Sequence, residues 1–301
     1  MNIQSNIMPA SFDSHGTAPV TMNLTRPFYW SVKRELWENR SIYIAPLAVA
    51  AVTLLGYLIA TMGYALSTTN LAQRRAALEE PYSFATALVM GAAFLVSIFY
   101  SLDALHSERR DRSILFWKSL PVSDLTTVLS KASIPLIVLP LLSFAIVVAT
   151  VSIMLVLTTL VLLGSGVSTA TVWNPALFQM GLMLLYHLIT VHVLWYAPFY
   201  GWLLLVSAWA RRATFLWATL PPIAIGGIEK IAFRTSYFFD LLHYRFMGGG
   251  PEAAGPDNFL DPMTQFMPGQ FLGSPGLWIG LLITALFLAA AVRLRRYQGP
   301  I

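Results

Sequence analysis

Cysteine is absent from the chain, which excludes disulfides and thiolate metal sites. Charge is scarce as well: 11% of the 301 residues are charged, against roughly 25% in an ordinary soluble domain. A soluble chain this short of charge could not cover its surface with polar groups, whereas one whose surface faces lipid does not need to. No G-x-x-x-x-G-K-[ST] stretch occurs, and no glycine is followed by lysine, so there is no loop for ATP phosphates. An H-E-x-x-H zinc helix and a G-x-S-x-G nucleophile turn are also missing.

What fills the chain instead is apolar: 56% of residues are hydrophobic, with a formal charge of +5. Met1 to Thr25 is polar and mixed, with neither a basic start nor an apolar run, so it reads as a disordered tail (1–25) rather than a signal peptide. Met22 is an alternative start. From Thr25 and Pro27 a helix is expected, with Phe28, Val32 and Leu36 at helical spacing. Tyr29, Trp30 and Trp37 widen its apolar arc, Arg34, Glu35 and Glu38 lie opposite, and Lys33 can snorkel, a pattern that suits a helix lying in the membrane interface. The remainder, 26–301, reads as one transmembrane domain.

Six apolar stretches follow: Ile42 to Leu66, Ser83 to Leu105, Ser133 to Leu163, Ala176 to Ala210, Ala213 to Phe233 and Gly276 to Val292. The third is too long for one upright span, Pro198 can kink the fourth, and Pro221-Pro222 with Gly226-Gly227 predict a break in the fifth. With the N-terminus inside, 14 Lys and Arg residues fall on the inner side and five on the outer. This matches six spans with both termini cytoplasmic. Nucleic acid is not an expected partner, because the basic residues mark helix ends and form no groove. The expected fold class is therefore an all-α membrane protein with six transmembrane helices and an N-terminal interfacial helix.

Few residues offer chemistry. Glu79-Glu80 reads as a solvated pair beside Pro81. His187 and His192 are five apart, about 140° around an α-helix, which is poor for a shared metal. They are candidates for a polar translocation path or for helix–helix hydrogen bonds. Asp103 is expected to pair with neighbouring arginines, and Glu229 and Lys230 to snorkel. An outer connection, 234–275, opens with the apolar run Tyr237 to Leu242, which suits a segment that dips into the bilayer or caps a vestibule.

The inner connection, 106–132, is the most informative. Glu108, Arg109, Arg110, Asp111 and Arg112 precede Ile114, Leu115, Phe116 and Trp117. One helix from Glu108 to Leu120 is expected, then a Pro121 break and a new helix capped by Ser123. Exposed aromatics beside charges suggest a docking surface for another protein.

The run Glu108-Arg109 through Ser113, then Ser119-Leu120-Pro121-Val122-Ser123 and Lys131, resembles the loop after the second span in ABC-2-type transporter permeases. Trp209 through Trp217, with Pro221-Pro222, resembles a bacterial branch of the same family. Where many members carry glycine, this chain has Arg112. The resemblance implies an ABC-2 (type V exporter-like) architecture and a permease that is not itself an enzyme. It implies a separate ABC ATPase subunit holding ATP and Mg, with no cofactor on this chain. It also implies a second permease in a homodimer or with a related paralogue, and export across the bacterial inner membrane. Glu108 to Arg112 with Phe116 and Trp117 would then couple to the ATPase. Other readings are an intramembrane enzyme or a non-transporting sensor or scaffold.

Overall fold

The computed structural model describes residues 25–65, 71–119, 122–164, 175–247 and 268–301. The described residues are helical and contain no strand. The helices are α1 (Thr25–Glu38), α2 (Ser41–Ala65), α3 (Leu71–Asp103), α4 (His106–Arg110), α5 (Ser113–Ser119), α6 (Asp124–Ser133), α7 (Leu139–Gly164) and α8 (Pro175–His187). After them come α9 (Ala197–Trp209), α10 (Thr214–Phe233), α11 (Tyr237–Met247), α12 (Pro268–Gly273) and α13 (Pro275–Tyr297). Among the described residues, four helical runs are long and apolar enough to cross a membrane: 41–60, 81–110, 124–161 and 275–297. A fifth forms if 181–195 and 197–209 count as one span bent by 45°. Buried residues are a minority in the most apolar window of each run, which leaves apolar side chains free to face lipid. α10, the expected fifth crossing, is not among these runs.

Among the described residues, two π-helical turns shape the bundle. Pro135 brings no amide, and the run from α6 to α7 widens there over Ile134–Val138, where the Leu139 amide bonds the Ile134 carbonyl. The second, Leu188–Trp195, joins α8 to α9 and ends where the Tyr196 amide bonds the Val191 carbonyl at 2.9 Å. The bend expected at Pro198 is thus centred on Tyr196, with Pro198 at the start of α9, where its missing amide costs nothing.

α10 corrects another expectation, since it runs unbroken through Pro221 and Pro222. A proline at position 222 strips the Ala218 carbonyl of its helical donor. The indole Nε1 of Trp202 on α9 replaces that donor at 3.0 Å. Gly226 faces α11 so closely that a Cβ would collide with the Phe239 ring.

Core packing runs along the bundle. Ile42, Tyr100, Ile134, Leu139 and Leu204 join α2, α3, the first π turn, α7 and α9 at the end nearest α4. Farther along, Ala50, Val89, Ile146 and Val147 continue the contact of α2, α3 and α7. Beyond them Tyr57, Tyr82 and Thr158 form a buried hydroxyl triad, with Tyr82 Oη 2.9 Å from Thr158 Oγ1. α9 lies along α13, where Gly201 lets Thr284 and Phe287 approach. α4 sits at the C-terminal ends of α9 and α13, and α11 at their N-terminal ends.

Candidate functional site

The loop after α3 folds into the protein before any of it reaches the surface. Ser207 Oγ of α9 accepts the amides of Leu105 and His106, each at 3.0 Å, and fixes the start of α4. His106 Nδ1 lies 3.1 Å from the Ala210 carbonyl. Arg109 reaches the carbonyls of Ala208 and Gly299. The Ile301 amide bonds the Arg109 carbonyl at 3.2 Å, and Lys118 Nζ approaches the carbonyls of Arg296 and Gln298. The end of the chain is therefore laid against this loop.

The expected single helix from Glu108 to Leu120 is two helices. α4 and α5 meet at Asp111 and Arg112, and Arg112 adopts φ 58°. This left-handed backbone is free of steric cost only for glycine. Leu120 and Pro121 lie outside the described residues. Ser123 caps α6 as expected, accepting the Thr126 amide at 3.1 Å.

Glu108 and Arg109, expected at the rim of a docking surface, are buried. Glu108 meets three cations: Arg34 at 3.4 Å, Lys131 at 3.2 Å and Arg295 at 3.2 Å. Lys131 and Arg34 also pair with Glu35, each at 2.8 Å, and Arg295 pairs with Asp124. The Tyr100 hydroxyl donates to Glu35 at 2.9 Å. Arg34 also lies 3.6 Å from the exposed Glu38, and these four carboxylates and three cations form one cluster that ties α1, α3, α4, α6 and α13 together. Burial pushes the Glu35 carboxyl upward, but Lys131 and then Arg34 outweigh it and hold the group below the usual carboxylate range.

This cluster explains the orientation of α1. Its charged face, with Arg34 and Glu35, turns into the protein, while Tyr29, Trp30 and Trp37 point outward. Lys33 Nζ sits 4.9 Å from both indole rings, Trp30 and Trp37.

Arg110, Asp111, Arg112, Leu115 and Phe116 are exposed, the last two at 60%. Trp117 is half-buried, with its ring edge against Phe116 and the Arg34 guanidinium carbon 3.8 Å above it. α5 is anchored from below by Ile114, which is 1% exposed. The arrangement is a short apolar ridge beside the ionic cluster, touching it where Trp117 meets Arg34. Asp103 pairs with Arg110 at 3.6 Å at its margin.

The histidines sit elsewhere. The π turn after His187 brings positions five apart onto one side, so the rings of His187 and His192 lie 6.3 Å apart rather than diverging. His192 also packs against Phe94 and Tyr196. Among the described residues, no group of three or more His, Asp or Glu could hold a metal. Glu229, expected to snorkel, instead caps α11 by accepting the amides of Tyr237 and Phe238 at 2.8 and 2.9 Å.

Glu35, Asp124 and Arg295 were not singled out as site residues. Their only sequence signal is an ionisable residue on a face that otherwise packs inward. Comparison with protein families, characterised proteins and solved structures finds no match.

Proposed function

We propose that this chain is the permease subunit of an ABC-2-type transporter, with α10 as the fifth of six crossings and both termini on the cytoplasmic face of a bacterial inner membrane. The observation that carries this reading is the apolar ridge of α5. Leu115 and Phe116 are solvent-exposed on a helix joined through Arg112 to α4, which the ionic cluster ties to α1, α6 and α13. A ridge that merely rested on lipid would need no such base. A ridge that receives force does, because displacement at α5 then passes to three helices at once. The ATPase subunit holds ATP and Mg and seats α5 in a cleft, with Phe116 as the apolar anchor. Arg110, Asp111 and Arg112 set its orientation. A second permease completes the path, and His187 and His192 lie along it. ATP drives the change only by binding one state better than the other.

The test is co-purification of the ATPase with wild-type permease and with Leu115→Ala/Phe116→Ala at matched expression. Loss of one buried anchor costs about 2 kcal/mol, roughly thirtyfold in affinity. A clear drop in recovered ATPase is expected. Equal recovery removes α5 as the docking element.

A further inference from the structure

α11 crosses the joint at which the fourth span bends. The Trp195 indole donates to the Arg245 carbonyl at 2.7 Å, and the Tyr196 hydroxyl donates to the Phe246 carbonyl at 2.8 Å. Trp195 ends the π turn and Tyr196 is the single residue before α9, so these bonds hold the joint of the 45° bend itself. Phe246 adds an edge-on contact to Phe199, with ring centroids 5.2 Å apart.

The Arg245 side chain then reaches across to α13. Nη1 donates to the Gly276 carbonyl at 2.9 Å, and the guanidinium carbon lies 4.2 Å from the Trp195 ring centre. Gly280 makes room for it: a Cβ there would collide with Nη2. Nη2 is buried and makes no hydrogen bond. The guanidinium is thus desolvated on one edge, with one hydrogen bond and one aromatic face in return among the described residues. Such a seat is easily left, because withdrawal restores water to the unpartnered nitrogen.

We propose that Arg245 is a releasable latch. Seated, it clips α11 to α13 and holds the Trp195–Tyr196 bend. Withdrawn, it lets α11 lift and the fourth span straighten, and the two movements occur together. The inference stands on the α11 end alone and does not depend on an ATPase docking at α5.

Because the chain contains no cysteine, pairs of nitroxides can be attached without background labelling. A His243→Cys/Leu286→Cys pair reports α11 against α13. A Leu182→Cys/Arg211→Cys pair reports the bend. Its two arms are about 21 Å each, so straightening by 45° lengthens their span by about 3 Å. Distances are read by double electron–electron resonance on the full chain in nanodiscs, in the unaltered background and with Gly280→Ala or Arg245→Gln. Gly280→Ala drives a methyl group into the Nη2 position, whereas Arg245→Gln removes the fork without adding bulk and serves if the first variant misfolds. A shift of both pairs to longer distances in the same variant is expected. Unchanged distances in a folded variant overturn the latch. A displaced α11 with an unchanged 182–211 distance overturns the coupling of the two movements.

Discussion

Glu108 pairs with three cations carried by three different helices, and Glu35 shares two of them. Removing one cation leaves buried carboxylates under-compensated, which costs about 3–5 kcal/mol. Lys131→Met is therefore expected to lower the unfolding temperature in detergent substantially. Adding Glu35→Gln to Lys131→Met should recover part of the loss, because the unpaired charge is then removed as well. pH offers a second reading of the same carboxylate. Since the Glu35 group is held below its ordinary value, its contribution is fully present above an unfolded value of about 4.3. That contribution is lost as pH falls through the lower folded value. A thermal-shift series below neutrality should show this acid-side loss, and Glu35→Gln should flatten it. None of these pairings was legible in the sequence. Glu108 and Arg112 stand four apart and invite a local pair, but the partners of Glu108 on α1 and α13 are 74 and 187 positions away. The histidines failed for another reason: a π turn changes the angle between positions five apart, and nothing in the residues around His187 announces one.

Helix existence was readable from long apolar runs; helix continuity was not. The stretch after α3 looked like one helix because its residues suit a helix, yet Arg112 turns left-handed and splits it. Arg112→Gly is expected to leave thermal stability unchanged or raise it, whereas a β-branched Arg112→Val should lower it by about 1 kcal/mol or more. In α10 the error ran the other way. Two adjacent prolines argue for a break, and a tryptophan on a neighbouring helix supplies the hydrogen bond that prevents it. Trp202→Phe keeps most of the ring but removes the donor, and should cost about 1–3 kcal/mol for the stranded Ala218 carbonyl. The same change in a Pro222→Ala background should cost less, since the restored amide can reach that carbonyl. Comparing the two losses by thermal unfolding isolates the coupling.

Across the whole molecule the helices alternate in direction, so α1, α4, α5 and the C-terminal residues gather at one end and α11 at the other. The charge asymmetry between connections already separated these two groups, because it depends on summed composition and not on any contact. Single cysteines at Asp111 and at His243 should therefore be labelled from opposite sides of the membrane by an impermeant reagent. Labelling of both from one side would reject the alternating arrangement. The seam that joins α4 to the last residues cannot be inferred from composition, because it rests on main-chain carbonyls and amides that every residue carries.

That seam also has a meaning in time. Glu108 leaves the ribosome 187 residues before Arg295. At about 5–20 residues per second, the interval is roughly 10–40 s. Throughout it, Glu108 lacks one of its three cations, and Arg109 lacks the Gly299 and Ile301 contacts. The α4–α5 platform is thus begun early in translation and completed only once α13 has been made. A nascent chain cannot complete the ion pairs of Glu108 before α13 has been made.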